Sequence, residues 1–375
     1  MIATLLCLRG QAQQITLDCF FASLCDSALP YRGVSDRAFD KARKKLHLPA
    51  LSSLNDLLVR RADEAGLVER WRGLRVVAAD ATVLMPAVRP CHQLRSAAGA
   101  DQRLFALFLP GAELSLHGVV YSALESERAM LVEALDKLGP DDVLVLDRGY
   151  PATWLVALLN EMGIRYCIRC DNPGGWSHSR SFMRSGLDEA WVTLKAPSVD
   201  DAATWECSRT PPRVRLVRQV SPGGAVRVLV TNLSEHEAPC QAFGELYHQR
   251  WRIEEAFKRL KHRMCLESVS GLSQQALIID VAAKILSDNI AAMMCAAASQ
   301  HEDLASRSRR CNRSYAATLL QRAMPRLLLV IGDWLGTLLD TLAQLGANTQ
   351  RFVAGRSRPR PPRFLKPHPS VAYKR

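Results

Sequence analysis

The densest grouping of chemically distinct side chains lies in residues 243–263. Wound as a helix at ~100° per residue, this segment sets Arg250 about −60°, Glu254 about −20° and Lys261 about −40° from Tyr247. Four polar groups of different chemistry therefore share a stripe about 60° wide, while Leu246, Ile253, Ala256, Phe257 and Leu260 fill a separate apolar arc that should face a core. A solvated face would carry interchangeable Glu, Lys and Gln. One carboxylate among two cations and a phenol instead suits contact with both a metal and a phosphodiester. Asp80 and Asp147 each close a short apolar run, at 74–79 and 143–146. If those runs are strands of an α/β sheet, both carboxylates sit at strand C-termini, outside which ligands bind.

Phosphodiester chemistry needs such a set. Charge must be neutralised on an in-line transition state, and a weak oxygen nucleophile must be ionised. Two divalent cations about 3.5–4 Å apart do both, and Mg²⁺ takes oxygen ligands. Asp80, Asp147 and Glu254 are the expected metal ligands and catalytic carboxylates, with Mn²⁺ able to replace Mg²⁺. Arg250 can fork onto a DNA phosphate, Lys261 can act as a point charge on the strand, and Tyr247 can hydrogen-bond a phosphate or stack on a base. Asp141, Asp142 and Asp171 read as turn or capping residues.

The elements that must position these groups follow from hydrophobic period and turn residues. Residues 1–70 read as helical, a DNA-binding region in which Ser35 caps one helix and 51–65 form another. Lys41, Arg43, Lys44 and Lys45 lie on or beside the outer face of the Ser35 helix. Runs at 74–79, 104–109 and 114–121 read as strands, the last two joined by Pro110-Gly111. A helix capped by Ser126 follows, with Met130, Leu131, Ala134, Leu135 and Leu138 on its apolar stripe. A strand at 143–146, a helix at 151–162 and a strand at 164–170 complete an α/β order over 71–170. The alternation then stops for 171–242, a β-leaning insertion with strands at 191–196, 204–208, 214–220 and 225–233, the last two separated by Ser221-Pro222-Gly223-Gly224. Arg213, Arg215, Arg218 and Arg227 suggest a basic face there. The helix of 243–270 carries Glu254, and the helical region 271–350 should contain helices at 272–299 and 327–345 with Pro325 and Gly346 as boundaries.

Tyr247-x2-Arg250-x3-Glu254-x6-Lys261 resembles the YREK signature of bacterial insertion-sequence transposases, the insertion-sequence-four group of the DDE class. Asp80-Ala81-Thr82 is similar to that family's first-aspartate motif, and Asp147-Arg148-Gly149-Tyr150 to its second. The resemblance spans roughly residues 74–270, including the insertion between the second Asp and the Glu. It implies a ribonuclease-H-like core with an inserted β subdomain, and cut-and-paste movement by metal-dependent hydrolysis and strand transfer. The implied partners are DNA, as transposon terminal inverted repeats and as target, and a second copy of the chain in a homodimeric synaptic complex. The region before Asp80 is short for that family, consistent with a truncated N-terminal domain. The family's insertion can also carry a tryptophan that stabilises a flipped base; Trp176, Trp191 and Trp205 are candidates. A nuclease of the same fold without strand transfer, and an inactive DNA-binding relic, are the alternatives.

Charge points the same way. The 375 residues carry a net charge of +12, and eight of the positives fall in 351–375, a stretch with five prolines and no acid. Proline prevents a helix there, so an extended basic arm for a polyanion is expected. No run of about 18 uncharged apolar residues marks a membrane span, and the N-terminus lacks the basic leader of a secretory signal. Eleven scattered cysteines fit a reducing compartment, a cytoplasmic, nucleoid-associated location. Cys167 and Cys170 have C-x-x-C spacing but no second pair, so strand packing explains them better than zinc. Walker A, G-x-S-x-G, dinucleotide and H-E-x-x-H motifs are absent.

Overall fold

The computed structural model describes residues 1–85, 101–171, 175–220, 224–271 and 273–353. Four helices open the chain: α1 (Ile2–Cys7), α2 (Gln13–Leu24), α3 (Asp36–Arg43) and α4 (Pro49–Glu64). Ser35 caps α3 by accepting from the Ala38 N–H, and Pro49 begins α4, where its missing N–H costs nothing. The sheet starts with β1 (Arg70–Trp71), β2 (Leu74–Leu84), β3 (Gln102–Leu109) and β4 (Leu114–Ser122). Then α5 (Glu127–Glu133), β5 (Asp142–Leu146), α6 (Thr153–Glu161) and β6 (Arg165–Arg169) supply the alternation expected from the apolar runs. β5 runs parallel to β2 and β6 parallel to β5, while β3 and β4 are antiparallel. The order β4-β3-β2-β5-β6 with helices on both faces is a ribonuclease-H-like core.

The insertion is β-rich, as expected, and it continues the same sheet. After α7 (Ser177–Ser185), β7 (Glu189–Thr193) and α8 (Val199–Trp205), strands β8 (Arg213–Val220) and β9 (Val226–Thr231) form a hairpin. β9 pairs antiparallel with β6 and β7 with β8, giving one nine-stranded sheet. Pairing β6 this way satisfies a backbone edge that would otherwise be open. Two readings of this stretch are corrected. Residues 204–208 begin as the end of α8, not as a strand. Arg215 does not join a basic face: it is fully buried, ion-paired to Glu189, and donates to the Ala238 carbonyl at 2.7 Å. Ser221, Pro222 and Gly223 lie outside the described residues.

The C-terminal part comprises α9 (Phe243–Gln249), α10 (Trp251–His262), α11 (Gln274–His301), β10 (Arg309–Cys311), α12 (Arg313–Leu329), α13 (Trp334–Ala347) and β11 (Thr349–Arg351). Pro325 is not a boundary but lies inside α12, one turn before its end. The break in 327–345 comes instead at Val330, whose φ of 53° stops α12, and at Gly332 (φ 61°), before Asp333 caps α13. Arg351 ends β11 paired with Arg309, and the rest of the basic tail, 354–375, lies outside the described residues.

Helix α11 carries a buried polar spine that sequence periodicity does not reveal. Asp280, Lys284, Ser287, Asp288 and Asn289 are each at most 1% exposed. Asp288 accepts from Arg259 of α10 at 2.9 Å and from Arg313 of α12 at 3.1 Å. Asp280 meets Arg43 of α3 at 3.5 Å and binds Ser270. Arg43 is therefore a core residue, not part of the outer basic face. Lys284 donates to the carbonyls of Cys265 and Ser268 at 2.8 and 2.6 Å, and Asn289 donates to Asn55 of α4 at 2.7 Å. The spine joins the N-terminal helices, α10 and α12 through paired groups, which is what makes their burial tolerable, although Arg259 Nη2 has no hydrogen-bond partner among the described residues. Replacing Asp288 by Ala leaves Arg259 and Arg313 only Glu113, at 3.6 and 4.0 Å, as an acidic partner and should lower unfolding stability by about 3–5 kcal/mol in urea denaturation; a loss below about 1 kcal/mol would show the pairs are dispensable.

Candidate active site

Strand register sets the first two carboxylates side by side. β2 and β5 pair in parallel from Arg75 with Asp142 to Ala78 with Val145. Asp80 and Asp147 each lie two residues further on, so they are level. Alternation along a strand puts Asp80 on the face of Ala78, which packs in one apolar cluster with Ile253, Ala256 and Phe257 of α10. Val145 packs with Leu246 and Tyr247 of α9. The two acids thus project toward the helices that carry the third. Asp80 is not at a strand terminus, as its sequence suggests, because β2 continues to Leu84. The parallel partner ends first, and that leaves Asp80 beside open space. Asp147 follows β5 directly, its Oδ1 accepting from the Gly149 N–H at 2.7 Å. A Cβ at Gly149 would come within 3.0 Å of that oxygen, so this close turn suits glycine.

The apolar arc of 243–263 is buried as expected: Leu246, Ile253, Ala256, Phe257 and Leu260 are all at most 6% exposed. The helix divides at Arg250, where the Arg250 N–H bonds the Tyr247 carbonyl at 3.3 Å and the Ile253 N–H bonds the Arg250 carbonyl at 3.2 Å. Arg250 is 6% exposed. Its Nη1 lies 3.4 Å from Asp80 Oδ2 and its Nη2 2.5 Å from Glu254 Oε1. The guanidinium therefore bridges the first and third carboxylates instead of facing solvent. Burial pushes the Asp80 carboxyl up to about 7; Arg250 opposes this, and the Asp147 charge adds to it.

Tyr247 and Lys261 are placed differently from Arg250. Tyr247 is 4% exposed, its hydroxyl pushed up to about 12 by burial, and it interacts with Arg169 of β6, which is itself held by Asp171 at 2.6 Å. Lys261 Nζ donates to the Val83 carbonyl at 2.5 Å and meets Glu267 at 3.3 Å, fastening the end of α10 to the end of β2. Asp142 is a strand residue, 2% exposed and paired with Arg75 at 2.6 Å. Cys167 and Cys170 are buried thiols with pKa raised by burial, consistent with packing.

All three acids offer oxygen donors only, the chemistry a hard divalent cation requires. Among the described residues no three His, Cys, Asp or Glu side chains are close enough to hold an ion together; Arg250 supplies the positive charge between Asp80 and Glu254. Sequence reasoning singled out Trp205 but missed Arg103, Glu127, Arg128 and Trp154, which line a cavity with it beside Gly149. Arg128 donates to the Gly149 carbonyl at 2.9 Å, and Trp205 stacks on Trp154 with centroids 4.2 Å apart and planes 6° apart. Arg103, Glu127, Arg128, Gly149, Trp154 and Trp205 line a cavity of about 400 Å³. A larger hollow, about 520 Å³, bounded by Asp56, Arg60, Asp63 and Lys137, shares no residue with the acids.

Residues 71–290 match the transposase DDE domain family, over more than half of the chain and across all three acids. The chain belongs to that family. It is accordingly a DNA transposase, a metal-dependent polynucleotidyl transferase. Among solved structures, it is similar to piggyBac transposase in a synaptic complex with hairpin DNA, at 11% identity, covering 92% of this chain and 78% of that one, with a TM-score of 0.40. No curated protein matches the chain. No described helix is long and apolar enough to cross a membrane.

The Asp80 carboxyl titrates at about 7 when folded, above the ~3.9 of an unfolded chain. Its contribution to stability is therefore fully present below pH ~4 and lost as pH rises through 7. In chelator, wild-type protein should lose up to about 4 kcal/mol relative to Asp80→Asn between pH ~4 and ~8; denaturation curves whose difference is flat across that range would place the carboxyl in the ordinary range.

Proposed function

We propose that the chain is an insertion-sequence-four-type transposase whose YREK signature is Tyr247, Arg250, Glu254 and Lys261, moving DNA by cut and paste. The observation that carries the site assignment is the level placement of Asp80 and Asp147 beneath a helix whose Arg250 links Asp80 to Glu254. Asp80, Asp147 and Glu254 hold divalent cations, Mg²⁺ or Mn²⁺ in its place. When bound, the cations neutralise phosphate charge and favour ionised oxygen nucleophiles.

In the reaction, water attacks phosphorus at the transposon end and the 3′-oxygen leaves as a hydroxyl. That hydroxyl attacks the opposite strand, giving a hairpin and freeing the flanking DNA. A second water opens the hairpin, and the 3′-hydroxyls then join target DNA. Asp80 and Glu254 orient Arg250, and the guanidinium exchanges a carboxylate for a DNA phosphate when the end docks. Lys261 sets the end of α10 and adds positive charge along the strand. Tyr247 orders Arg169 and acts through it. Trp205, at the cavity beside Gly149, is better placed than Trp176 or Trp191 to stack on an unpaired base. The N-terminal helices and the tail from 351 contribute DNA contacts, two copies assemble on paired ends, and the protein works in the cytoplasm at the nucleoid.

Asp80→Asn, Asp147→Asn and Glu254→Gln should each reduce end cleavage by at least about 10³-fold, the consequence of losing several kcal/mol of charge stabilisation. Full cleavage by any one removes that residue from the site, and cleavage without joined product in a strand-transfer assay would mark a nuclease. Deleting 351–375 should weaken binding to any DNA and flatten its salt dependence by about 0.9 in log–log slope for each phosphate the tail neutralises; an unchanged slope would leave the tail a solubilising segment.

A further inference from the structure

We propose that Arg128 is a positioning residue for Asp147: its guanidinium clamps the turn that carries this carboxylate and so fixes where the carboxylate points. This rests on the assignment of Asp147 to the catalytic site. β5 ends at Leu146, whose partner on β6 is Ile168, so Asp147 is the first residue beyond the ladder and neighbouring strands no longer hold its backbone. The turn's own bonding is slight. The Asp147 carbonyl accepts from the Tyr150 N–H at a long 3.4 Å, and the Asp147 Oδ1 accepts from the Gly149 N–H at 2.7 Å. The orientation of the carboxylate therefore depends on where the Gly149 peptide sits. Glycine fits the close approach there but brings no side chain to anchor that peptide.

Arg128 supplies the restraint. Its Nη2 donates to the Gly149 carbonyl at 2.9 Å and to the Pro151 carbonyl at 3.2 Å, and its Nε donates to the Gly149 carbonyl at 3.2 Å. One planar fork thus holds two carbonyls that flank Tyr150, through charge-assisted bonds stronger than neutral ones. Arg128 stands on a fixed support. Ser126 caps α5 by accepting from the Ala129 N–H at 3.1 Å. Met130 and Leu131 are fully buried in the same apolar cluster as Leu146, Tyr150 and Ala152. The neighbouring Glu127 is engaged with Arg103 at 3.5 Å, which leaves the Arg128 fork to the turn. A misplacement of about 1 Å at a reacting group can cost ~10²-fold in rate. A clamp on Asp147 therefore acts on turnover, whereas a guanidinium that met a DNA phosphate would act on binding.

The test uses the full chain with Mn²⁺ and a duplex bearing the terminal inverted repeat, with hydrogen exchange measured on the DNA-free protein. Arg128→Ala should lower the maximal rate of end cleavage about 10- to 100-fold. It should leave the Kd for the duplex and its salt dependence unchanged, and it should speed amide exchange in 147–151 but not in β5. Arg128→Lys, a point donor that cannot fork over two carbonyls, should recover part of the rate. Added to Asp147→Asn, Arg128→Ala should cost nothing further, because its effect runs through that carboxylate. Should Arg128→Ala fail to fold, Arg128→Lys carries the test, and a wild-type rate from it overturns the proposal. Wild-type cleavage by folded Arg128→Ala, with Asp147→Asn inactive, overturns the clamp and leaves Asp147 in the site. A raised Kd with a log–log salt slope reduced by about 0.9, at an unchanged maximal rate, makes Arg128 a phosphate contact and overturns the proposal as well. Full cleavage by Asp147→Asn overturns the assignment on which the clamp depends.

Discussion

Like charges brought to one level of a sheet repel, and much of this molecule is organised around that constraint. The parallel pairing of β2 with β5 sets Asp80 beside Asp147. Burial then raises the cost of ionising Asp80. Arg250 answers this from the joint between α9 and α10, contacting Asp80 and Glu254 together. One guanidinium thereby serves two partly buried carboxylates at once. Had Arg250 pointed to solvent, the acids could have been neutral only by binding protons.

Holding α10 against the sheet is the task of α11. Its spine of Asp280, Lys284, Asp288 and Asn289 engages α3, α4, α10 and α12 as well as the turn after α10. Each contact is directional, so the spine specifies how helices distant in sequence sit relative to α10. An apolar stripe would have bound them with less angular definition. The N-terminal helices are thus part of the support of the core, whatever they also do with DNA.

The insertion follows the same economy of edges. Rather than folding apart, its strands extend the core sheet from β6 through β9, β8 and β7. That extension places α8 against α6, where Trp205 stacks on Trp154 close to the second aspartate. A feature distant in sequence from Asp147 thereby becomes a wall of the cavity next to it.

Local pattern was enough for the parts whose physics is local. The alternation of apolar runs determined most strands of the core. Helical period determined which side of 243–263 is buried, and Ser35 and Ser126 announced their helices because capping is a contact across three residues. The three acids stood out because each ends or sits within such a pattern at a distinctive spacing. What lay beyond reach depends on partners far away in the chain. Arg43 and Arg215 look like surface cations in sequence and become core residues only because Asp280 and Glu189 meet them. Pro325 looks like a stop and is accommodated near the end of α12. Residues 204–208 look extended but begin within α8. Tyr247 looks half-exposed in sequence and is enclosed by packing against the sheet. The level of Asp80 with Asp147 and the bridge through Arg250 both arise from strand register and helix placement. Side-chain type fixes what chemistry is available, whereas distance between charges, which decides how that chemistry is used, exists only once the sheet has assembled.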